Sequence, residues 1–220
     1  MKILHINASY KPAYVYGGPT MSVSALCEQL VGAGIIVEVF TTTANGNHEL
    51  DVKSDIPVDV DGVTVTYFKR ITKDHTHFSP LLLKTLRARI KEFDLIHIHA
   101  WWNLVSVLAA LTAVKKRVPV VLSPRGTLSA YSFVNRNNLK KKLIHLALGK
   151  KLLHKCHVHA TAEPEARAVA EMIKPLSVNV IPNFVKLPDT LPVDTKDDLI
   201  GPIKLLFLSR IEEKKDWIFY

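Results

Sequence analysis

The stretch Asp94-Leu-Ile-His-Ile-His-Ala-Trp-Trp-Asn103 decides the fold class that we predict for this 220-residue chain. Residues 95–98 form an apolar run that predicts a short buried strand, and Asn103 is suited to cap a helix that follows directly. Side chains alternate along a strand, so His97 and His99 point to one face of the sheet. Ligands of open α/β sheets bind beyond the carboxyl ends of the strands. The stretch therefore predicts a polar site at such an end.

These two histidines have two interpretations. A single histidine on a strand is more often a core residue that packs and hydrogen-bonds internally. Here two of them share one face near a strand end, and Trp101 and Trp102 follow at once. This combination favours a functional site, while the core interpretation stays open.

Strands and helices alternate in the flanking sequence as well. Residues 2–7 predict a first buried strand, and Gly17, Gly18 and Pro19 lead into a helix over residues 20–32. Further strands are predicted at residues 35–41, 63–68, 119–122, 157–161 and 178–181, with helices over residues 80–92, 103–116 and 138–155. Residues 45–62 are polar and predict an excursion at the far side of the sheet. This order predicts an α/β fold, a Rossmann-like parallel sheet flanked by helices.

The glycine pair Gly17-Gly18 has a physical use at the start of a helix. Free backbone N–H groups and the positive end of the helix dipole attract an anion, and glycine lets it approach closely. The full G-x-G-x-x-G pattern is absent here. An anion site and an ordinary tight turn are therefore equally good interpretations of this pair.

Two further polar residues are predicted at the same edge of the sheet. Arg125 and Gly126 follow the strand at residues 119–122, and an arginine there is suited to bind a phosphate or carboxylate. Glu163 lies at a strand–helix junction, where it complements the helix dipole or faces the crevice. A surface arginine in a turn is the alternative for Arg125.

The composition favours a folded protein with an anionic partner. Hydrophobic residues make up 48% of the chain and the mean hydropathy is +0.13, so a sizeable core can form. The net charge of +9 and the pI of about 9.5 suit phosphates, acidic lipids or nucleic acid. Cys27 and Cys156 have no metal-binding spacing and predict reduced thiols in a cytoplasmic protein. Neither the N-terminus nor residues 104–114 predict a signal peptide or a membrane span.

Basic residues are concentrated in two runs. Lys115, Lys116 and Arg117 form one, and the lysines from Lys140 to Lys151 form the other. Together they predict a patch for anionic lipid headgroups, and so peripheral contact with the inner face of a membrane. A solvated helix face is an equally good alternative.

A domain boundary is predicted near residue 186, so that residues 1–186 form the first domain. Residues 187–202 are rich in proline and aspartate without an apolar period, which predicts a linker. Residues 203–208 then begin a new strand, and the sequence ends at Tyr220. We expect residues 203–220 to be the truncated start of a second domain. A shift of reading frame in the codons of Lys214 and Lys215 is our hypothesis for this ending.

A set of motifs in this sequence resembles family-4 glycosyltransferases of the GT-B fold. The motifs are Gly17-Gly-Pro-Thr20, Asp94-Leu-Ile-His-Ile-His99, Ser123-Pro-Arg-Gly126, Ala160-Thr-Ala-Glu-Pro-Glu165, Val180-Ile-Pro-Asn183, and Leu206-Phe-Leu-Ser-Arg210 with Lys215. The ordered set runs through the whole chain and is more specific than any one motif. The chain thus resembles the N-terminal half of a GT-B enzyme, with a truncated C-terminal domain.

The resemblance implies a retaining transfer of a sugar from a nucleotide-diphosphate sugar to a glycan or lipid-linked acceptor. It implies no metal, no other cofactor and no nucleic-acid partner. By motif position, His99 is the catalytic residue that would contact the transferred sugar. The implied acceptor-side residues are Gly17, Gly18, Trp101, Arg125 and Gly126, and the implied donor-side residues are Glu163, Asn183, Arg210 and Lys215. We expect the truncated chain to be inactive by itself.

Phe184 and Asp216 depart from the family pattern, which has glycine at both positions. Two other classes of protein remain as alternatives. A non-enzymatic module would use the basic helix to bind a membrane or nucleic acid. A zinc protein would use the His-x-His pairs His75/His77, His97/His99 and His157/His159, but no cysteine or carboxylate cluster accompanies them.

Overall fold

A sheet of eight strands organises the computed structural model, which describes residues 1–129 and 149–185. Its strands are β1 (Lys2–Ile6), β2 (Ile36–Thr42), β5 (Pro57–Val60), β6 (Val63–Phe68), β7 (Leu95–His99), β8 (Val120–Ser123), β9 (His157–Ala160) and β10 (Ser177–Val180), while β3 (Ala44–Asn45) and β4 (His48–Glu49) form a separate hairpin. The described helices are α1 (Gly18–Gly32), α2 (Pro80–Arg89), α3 (Leu104–Lys116), α4 (Lys150–Leu153) and α5 (Glu163–Met172), with 3₁₀ turns at Tyr14–Tyr16 and Ile90–Glu92. The strand order is β10-β9-β8-β7-β1-β2-β6-β5, and only the pair β5–β6 is antiparallel. The predicted α/β fold with a parallel sheet is confirmed.

Local signals in the sequence fix the ends of the helices at the carboxyl edge of the sheet. Pro19 lies in the first turn of α1, where its missing N–H leaves no helical hydrogen bond unmade. Asn103 caps α3 as predicted, because its side-chain oxygen accepts a hydrogen bond of 2.8 Å from the backbone N–H of Ser106. Along the chain α1 follows β1 and α3 follows β7, so both helices begin on the carboxyl side of the sheet.

The sequence interpretation missed the edge strand β5 as well as the short hairpin of β3 and β4. Residues 45–62 were expected to be a polar excursion, yet Pro57–Val60 pairs antiparallel with β6 and ends the sheet. Its side chains alternate between exposed and half-buried, which leaves little apolar signal. Proline at its first position is compatible with an edge strand, where one side of the backbone needs no partner.

Two apolar layers cover the two faces of the sheet. Ile96 and Ile98 of β7 pack with α2 and α3 in the larger layer. Val39 of β2 packs with Val23 and Cys27 of α1 in the smaller one. His5 pairs in register with Val39 and with His97, so these side chains share the face covered by α1.

Several predicted features lie outside the described residues. Of the predicted helix over residues 138–155, the structure describes only the part from residue 149 onward, including α4. Lys140, Lys141 and Lys142, the linker and the start of the second domain with Arg210 and Lys215 are not described. Met1–Val185 forms one compact unit, to which all that follows refers.

Candidate functional site at the carboxyl edge of the sheet

The centre of the sheet contains a topological switch point. The chain leaves β1 toward β2 on one side and returns later to place β7 on the other side of β1. Connections that diverge in this way open a crevice at the carboxyl ends of the two strands, where ligands of open α/β sheets bind. His5 of β1 and His97 of β7 are register partners immediately below this crevice.

Three buried histidines, His5, His97 and His99, form what we call the histidine cluster. The ring centroids lie 4.8 Å apart for His5 and His97, 5.2 Å for His5 and His99, and 4.3 Å for His97 and His99. Burial, reinforced by the positive charge of Arg125, lowers the pKa of His5 to about 3. Burial and the neighbouring rings likewise lower the pKa of His97 and His99. All three rings are therefore neutral at neutral pH, and each has one donor and one acceptor nitrogen.

The first chain of hydrogen bonds from the cluster leads to Arg125. The Arg125 Nε–H donates to His99 Nδ1 at 3.4 Å, and His99 Nε2 lies 2.9 Å from His5 Nδ1. An arginine N–H can only donate, so His99 Nδ1 is unprotonated and its proton is on Nε2. That N–H then donates to His5 Nδ1, and the proton of His5 is on its own Nε2.

The second chain crosses the sheet in the other direction. His97 Nε2 lies 2.8 Å from Ser123 Oγ, and Ser123 Oγ lies 3.0 Å from His159 Nδ1. His159 Nε2 is 2.8 Å from the carbonyl oxygen of Ile181 and must donate to it. In a neutral His159 ring, Nδ1 then accepts from Ser123, which in turn accepts from His97. These bonds join β7, β8 and β9 to the segment that follows β10.

Arg125 donates hydrogen bonds to three other parts of the chain. It follows β8 in a left-handed conformation with φ of 52°. Besides its bond to His99, its Nη1 donates to Ser22 Oγ of α1 at 2.6 Å and to Asn183 Oδ1 at 3.0 Å. Within residues 1–129 and 149–185, no ion pair includes Arg125. The guanidinium is thus a half-buried cation held by neutral groups.

Glu165 is the carboxylate that connects the Arg125-Gly126 turn to α5, while the predicted donor-side role of Glu163 stays a prediction. Glu165 Oε1 accepts from the backbone N–H of Gly126 at 2.6 Å. Its Oε2 accepts from the backbone N–H and the hydroxyl group of Thr161, at 2.7 and 2.9 Å. Glu163 is exposed in the same first turn of α5 and has no hydrogen bond to the described part of the chain. Glu165 therefore joins the Arg125-Gly126 turn to α5.

Gly17 and Gly18 lie exposed at the beginning of α1, as predicted. Gly17 has φ of 66°, and an added Cβ at either glycine would meet nothing within 4 Å, so the space above them is open. Ser22, one helical turn further on, contacts Arg125. The glycine pair and the arginine thus border one crevice.

Trp101 occupies a different place from the one that the resemblance implies. The structure places its side chain in the larger apolar layer with no exposed surface. Ala100 precedes it with φ of 61°, so the alternation of the strand is broken and the ring turns into the core. This position favours core packing over an acceptor-lining role. Trp102 is half-buried, and its ring N–H donates to the Thr127 carbonyl.

The histidine cluster is also the group of side chains that most resembles a metal site in the described part of the chain. Its three residues each have a ring nitrogen within 4.8 Å of the other two. However, His99 Nδ1 accepts a hydrogen bond from the cationic Arg125. The Nε2–H group of His99 donates to the lone pair of His5 Nδ1, so neither of these nitrogens is available to a metal ion. This donor and acceptor pattern fits a neutral hydrogen-bonded cluster better than a metal ion.

The parallel sheet, its switch point and the polar residues at its carboxyl edge define the Rossmann-like domain of the GT-B fold. The sequence matches Glycosyltransferase Family 4 over residues 16–188, well over half of the chain. The chain belongs to this family. A comparison with curated proteins finds no significant match.

Solved structures of similar fold come from several enzymes. HepE from Anabaena, in complex with UDP and glucose, has a TM-score of 0.54 at 19% identity, over 83% of this chain and 44% of HepE. Sucrose-phosphate synthase from Thermosynechococcus elongatus has a TM-score of 0.57 at 18% identity, over 83% of this chain and 48% of that one. UDP-GlcNAc 2-epimerase from Neisseria meningitidis, bound to UDP-GlcNAc, has a TM-score of 0.52 at 16% identity, over 83% and 46%. At these low identities the comparisons show only that the fold is similar. This chain spans less than half the length of each of the three enzymes.

Among the helices of the described residues, none has the length and apolar character that a membrane crossing requires.

Proposed function

We propose that this chain forms the acceptor-side domain of a retaining, metal-independent glycosyltransferase. The donor is a nucleotide-diphosphate sugar, and the acceptor is a glycan or a lipid-linked saccharide. The convergence of α1, β7, β8 and the segment after β10 on Arg125 supports this proposal most directly. Arg125 gives the crevice at the switch point a positive charge, which suits a substrate that carries negative charge or develops it during the reaction.

The proposed roles follow the geometry where the structure describes the residue. Gly17, Gly18 and Gly126 are exposed, and their lack of a side chain would let a substrate approach the backbone closely. Arg125 contacts the substrate, and Asn183 is positioned by it. Glu163, Arg210 and Lys215 stay predictions on the donor side, and the latter two would supply positive charge for the leaving diphosphate.

His99 has a proposed catalytic role that its surroundings constrain. The ring is fully buried, and both nitrogens take part in hydrogen bonds. Contact between His99 and a sugar therefore requires Arg125 to move aside first.

Saturation-transfer NMR tests the proposal on the 220-residue chain. The ligands are a panel of nucleotide-diphosphate sugars that includes UDP-glucose, because HepE was solved with UDP and glucose. We expect saturation to reach the hexose more than the base, since the described crevice would face the sugar. Arg125→Gln should abolish the hexose signal, whereas Arg167→Gln, an exposed arginine on α5, should leave it unchanged. No transfer to any sugar of the panel, or equal loss in both variants, would overturn the proposal.

A groove at the opposite, amino edge of the sheet supports the proposed peripheral contact with an anionic membrane. Lys115, Lys151 and Lys155 line a groove of about 480 Å³, with an apolar floor formed by Leu111, Val114 and Leu152. Residues 95–162 contain eleven Lys and Arg residues and no Asp or Glu, so this segment carries the whole excess of positive charge. Cationic side chains around apolar surface suit acidic lipid headgroups.

Vesicle sedimentation distinguishes membrane contact from a merely solvated basic face. We expect binding to vesicles that contain phosphatidylglycerol and none to pure phosphatidylcholine. The double variant Lys115→Glu, Lys151→Glu should weaken this binding about tenfold or more, since each lysine near the surface contributes roughly 1 kcal/mol. Lys53→Glu with Lys73→Glu makes the same charge change at exposed sites elsewhere. Equal loss in both double variants would contradict membrane contact through the groove.

A further inference from the structure

We infer that His5 is the positioning residue that fixes the tautomer of His99 and, through His99, holds Arg125 at this edge. The inference rests on the proposed function only for the substrate that Arg125 contacts. The arrangement of the three side chains follows from their geometry alone.

The hydrogen bonds run in one direction, from Arg125 through His99 to His5. Arg125 can only donate, so it fixes the unprotonated nitrogen of His99 as Nδ1. The remaining proton of His99 needs an acceptor inside the core, and His5 Nδ1 supplies one at 2.9 Å. Without that acceptor, the opposite tautomer of His99 would turn an N–H toward the arginine N–H, and the contact would become repulsive.

Burial and stacking fix the orientation of the His5 ring. The ring is fully buried and stacks on His99, with an angle of 16° between the ring planes. Its Nε2 is buried and has no hydrogen-bond partner within the described ranges. A buried N–H without a partner costs about 1–3 kcal/mol, a cost that an apolar side chain at this position would avoid. The acceptor that its Nδ1 offers to His99 gives this histidine a role that an apolar side chain could not fill.

Arg125 uses two of its three nitrogens in these contacts. Its Nε and Nη1 bind His99, Ser22 and Asn183, whereas its Nη2 has no hydrogen-bond partner among residues 1–129 and 149–185. Arg125 therefore keeps N–H groups for a further acceptor while its contact with His99 stays in place.

Nitrogen-15 NMR of the histidine rings tests the inference in the 220-residue chain. In the unaltered chain we expect His99 and His5 both to be protonated at Nε2 and unprotonated at Nδ1. The opposite tautomer of either ring would overturn the inference without any variant being made. A stoichiometric shift of all three cluster rings on addition of Zn²⁺ would also overturn it, because the cluster would then be a metal site.

Two substitutions of His5 separate the positioning role from a packing role. His5→Asn places an acceptor oxygen near the position of Nδ1, whereas His5→Leu fills the space without an acceptor. We expect the Arg125 Nε–H to exchange with water about tenfold faster in His5→Leu and close to the original rate in His5→Asn. The tautomer of His99 should change only in His5→Leu. Equal exchange rates and unchanged tautomers in both variants would refute the positioning role.

The saturation-transfer experiment separates this inference from the proposed function. If the tautomers agree with the inference and no sugar binds, the positioning of Arg125 stands and the proposed substrate class fails. If a sugar binds and the signal survives Arg125→Gln, then Arg125 is not the contact and that part of the proposed function fails, whereas the tautomers alone decide the positioning by His5. Loss of the sugar signal in His5→Leu but not in His5→Asn is the result that we expect.

Discussion

The substitution Glu165→Gln tests whether this carboxylate joins the Arg125-Gly126 turn to helix α5. The carboxylate accepts three hydrogen bonds of 2.6, 2.7 and 2.9 Å, from Gly126 and from two groups of Thr161. Glutamine keeps the shape of the side chain but has one oxygen instead of two. We expect that oxygen to stay with the two donors of Thr161, so that the new amide N–H group faces the N–H of Gly126.

The magnitude follows from the bonds that change. A hydrogen bond to a charged group contributes about 1.5–3 kcal/mol when buried, and less at a half-exposed site such as this one. Loss of the charge near the helix N-terminus adds roughly 0.3–1 kcal/mol. The variant Glu163→Gln also loses a negative charge in the first turn of α5, but within the described ranges the side chain of Glu163 makes no hydrogen bonds that could be lost. The difference between the two variants should therefore be about 1–2 kcal/mol, or about 2–8 °C in Tm.

Thermal unfolding and amide exchange measure these two quantities. Glu165→Gln should unfold at lower temperature than Glu163→Gln, and the Gly126 amide should exchange about 5–30 times faster in the first variant. The side chain of Glu163 lies exposed, so its variant should be close to the unaltered chain. If Glu163→Gln destabilises the chain as much as Glu165→Gln, the junction between the turn and α5 does not exist as described.

Three further predictions concern the core. The histidine cluster is neutral in the fold because burial lowers its pKa values, so below about pH 6.5 the unfolded chain binds protons that the native chain excludes. As the pH decreases below this value, the free energy of unfolding should therefore decrease by up to about 1.4 kcal/mol per histidine and pH unit. Urea midpoints measured at successive pH values will show this decrease. Trp101→Ala should cost about 3–5 kcal/mol of unfolding free energy in urea titration, because the ring is fully buried. Burial raises the pKa of the Cys27 thiol to about 12, so a thiol reagent should label it only after unfolding.

Most of the sheet was predictable because its strands are short apolar runs between helix-capping signals. The run at residues 95–98, followed by Asn103, fixed both β7 and the start of α3. Edge strand β5 was not predictable in the same way. Its residues face a neighbour on one side only, so burial and the apolar alternation that reveals a strand are both weak.

The candidate site was predictable only where neighbours in sequence are neighbours in space. His97 and His99 share a strand, and their proximity follows from its alternation. His5 joins them only because β1 lies beside β7, a pairing across more than ninety residues that no local pattern reveals. Glu163 and Glu165 lie two positions apart on α5 and therefore face different sides of the helix, so that Glu165 meets Thr161 while Glu163 is exposed.

The two hydrogen-bond chains end on the same short segment, residues 181–183. His159 donates to the carbonyl oxygen of Ile181, while Arg125 donates to the side chain of Asn183. A backbone hydrogen bond of 2.9 Å from Ile181 to Ala160 adds a third attachment. The segment is largely exposed, so apolar packing contributes little to its position. Its position is instead set by the polar groups of the crevice, and a ligand that displaced Arg125 would release Asn183 as well. The geometry of the site and the path of the chain beyond β10 are therefore coupled through one guanidinium group.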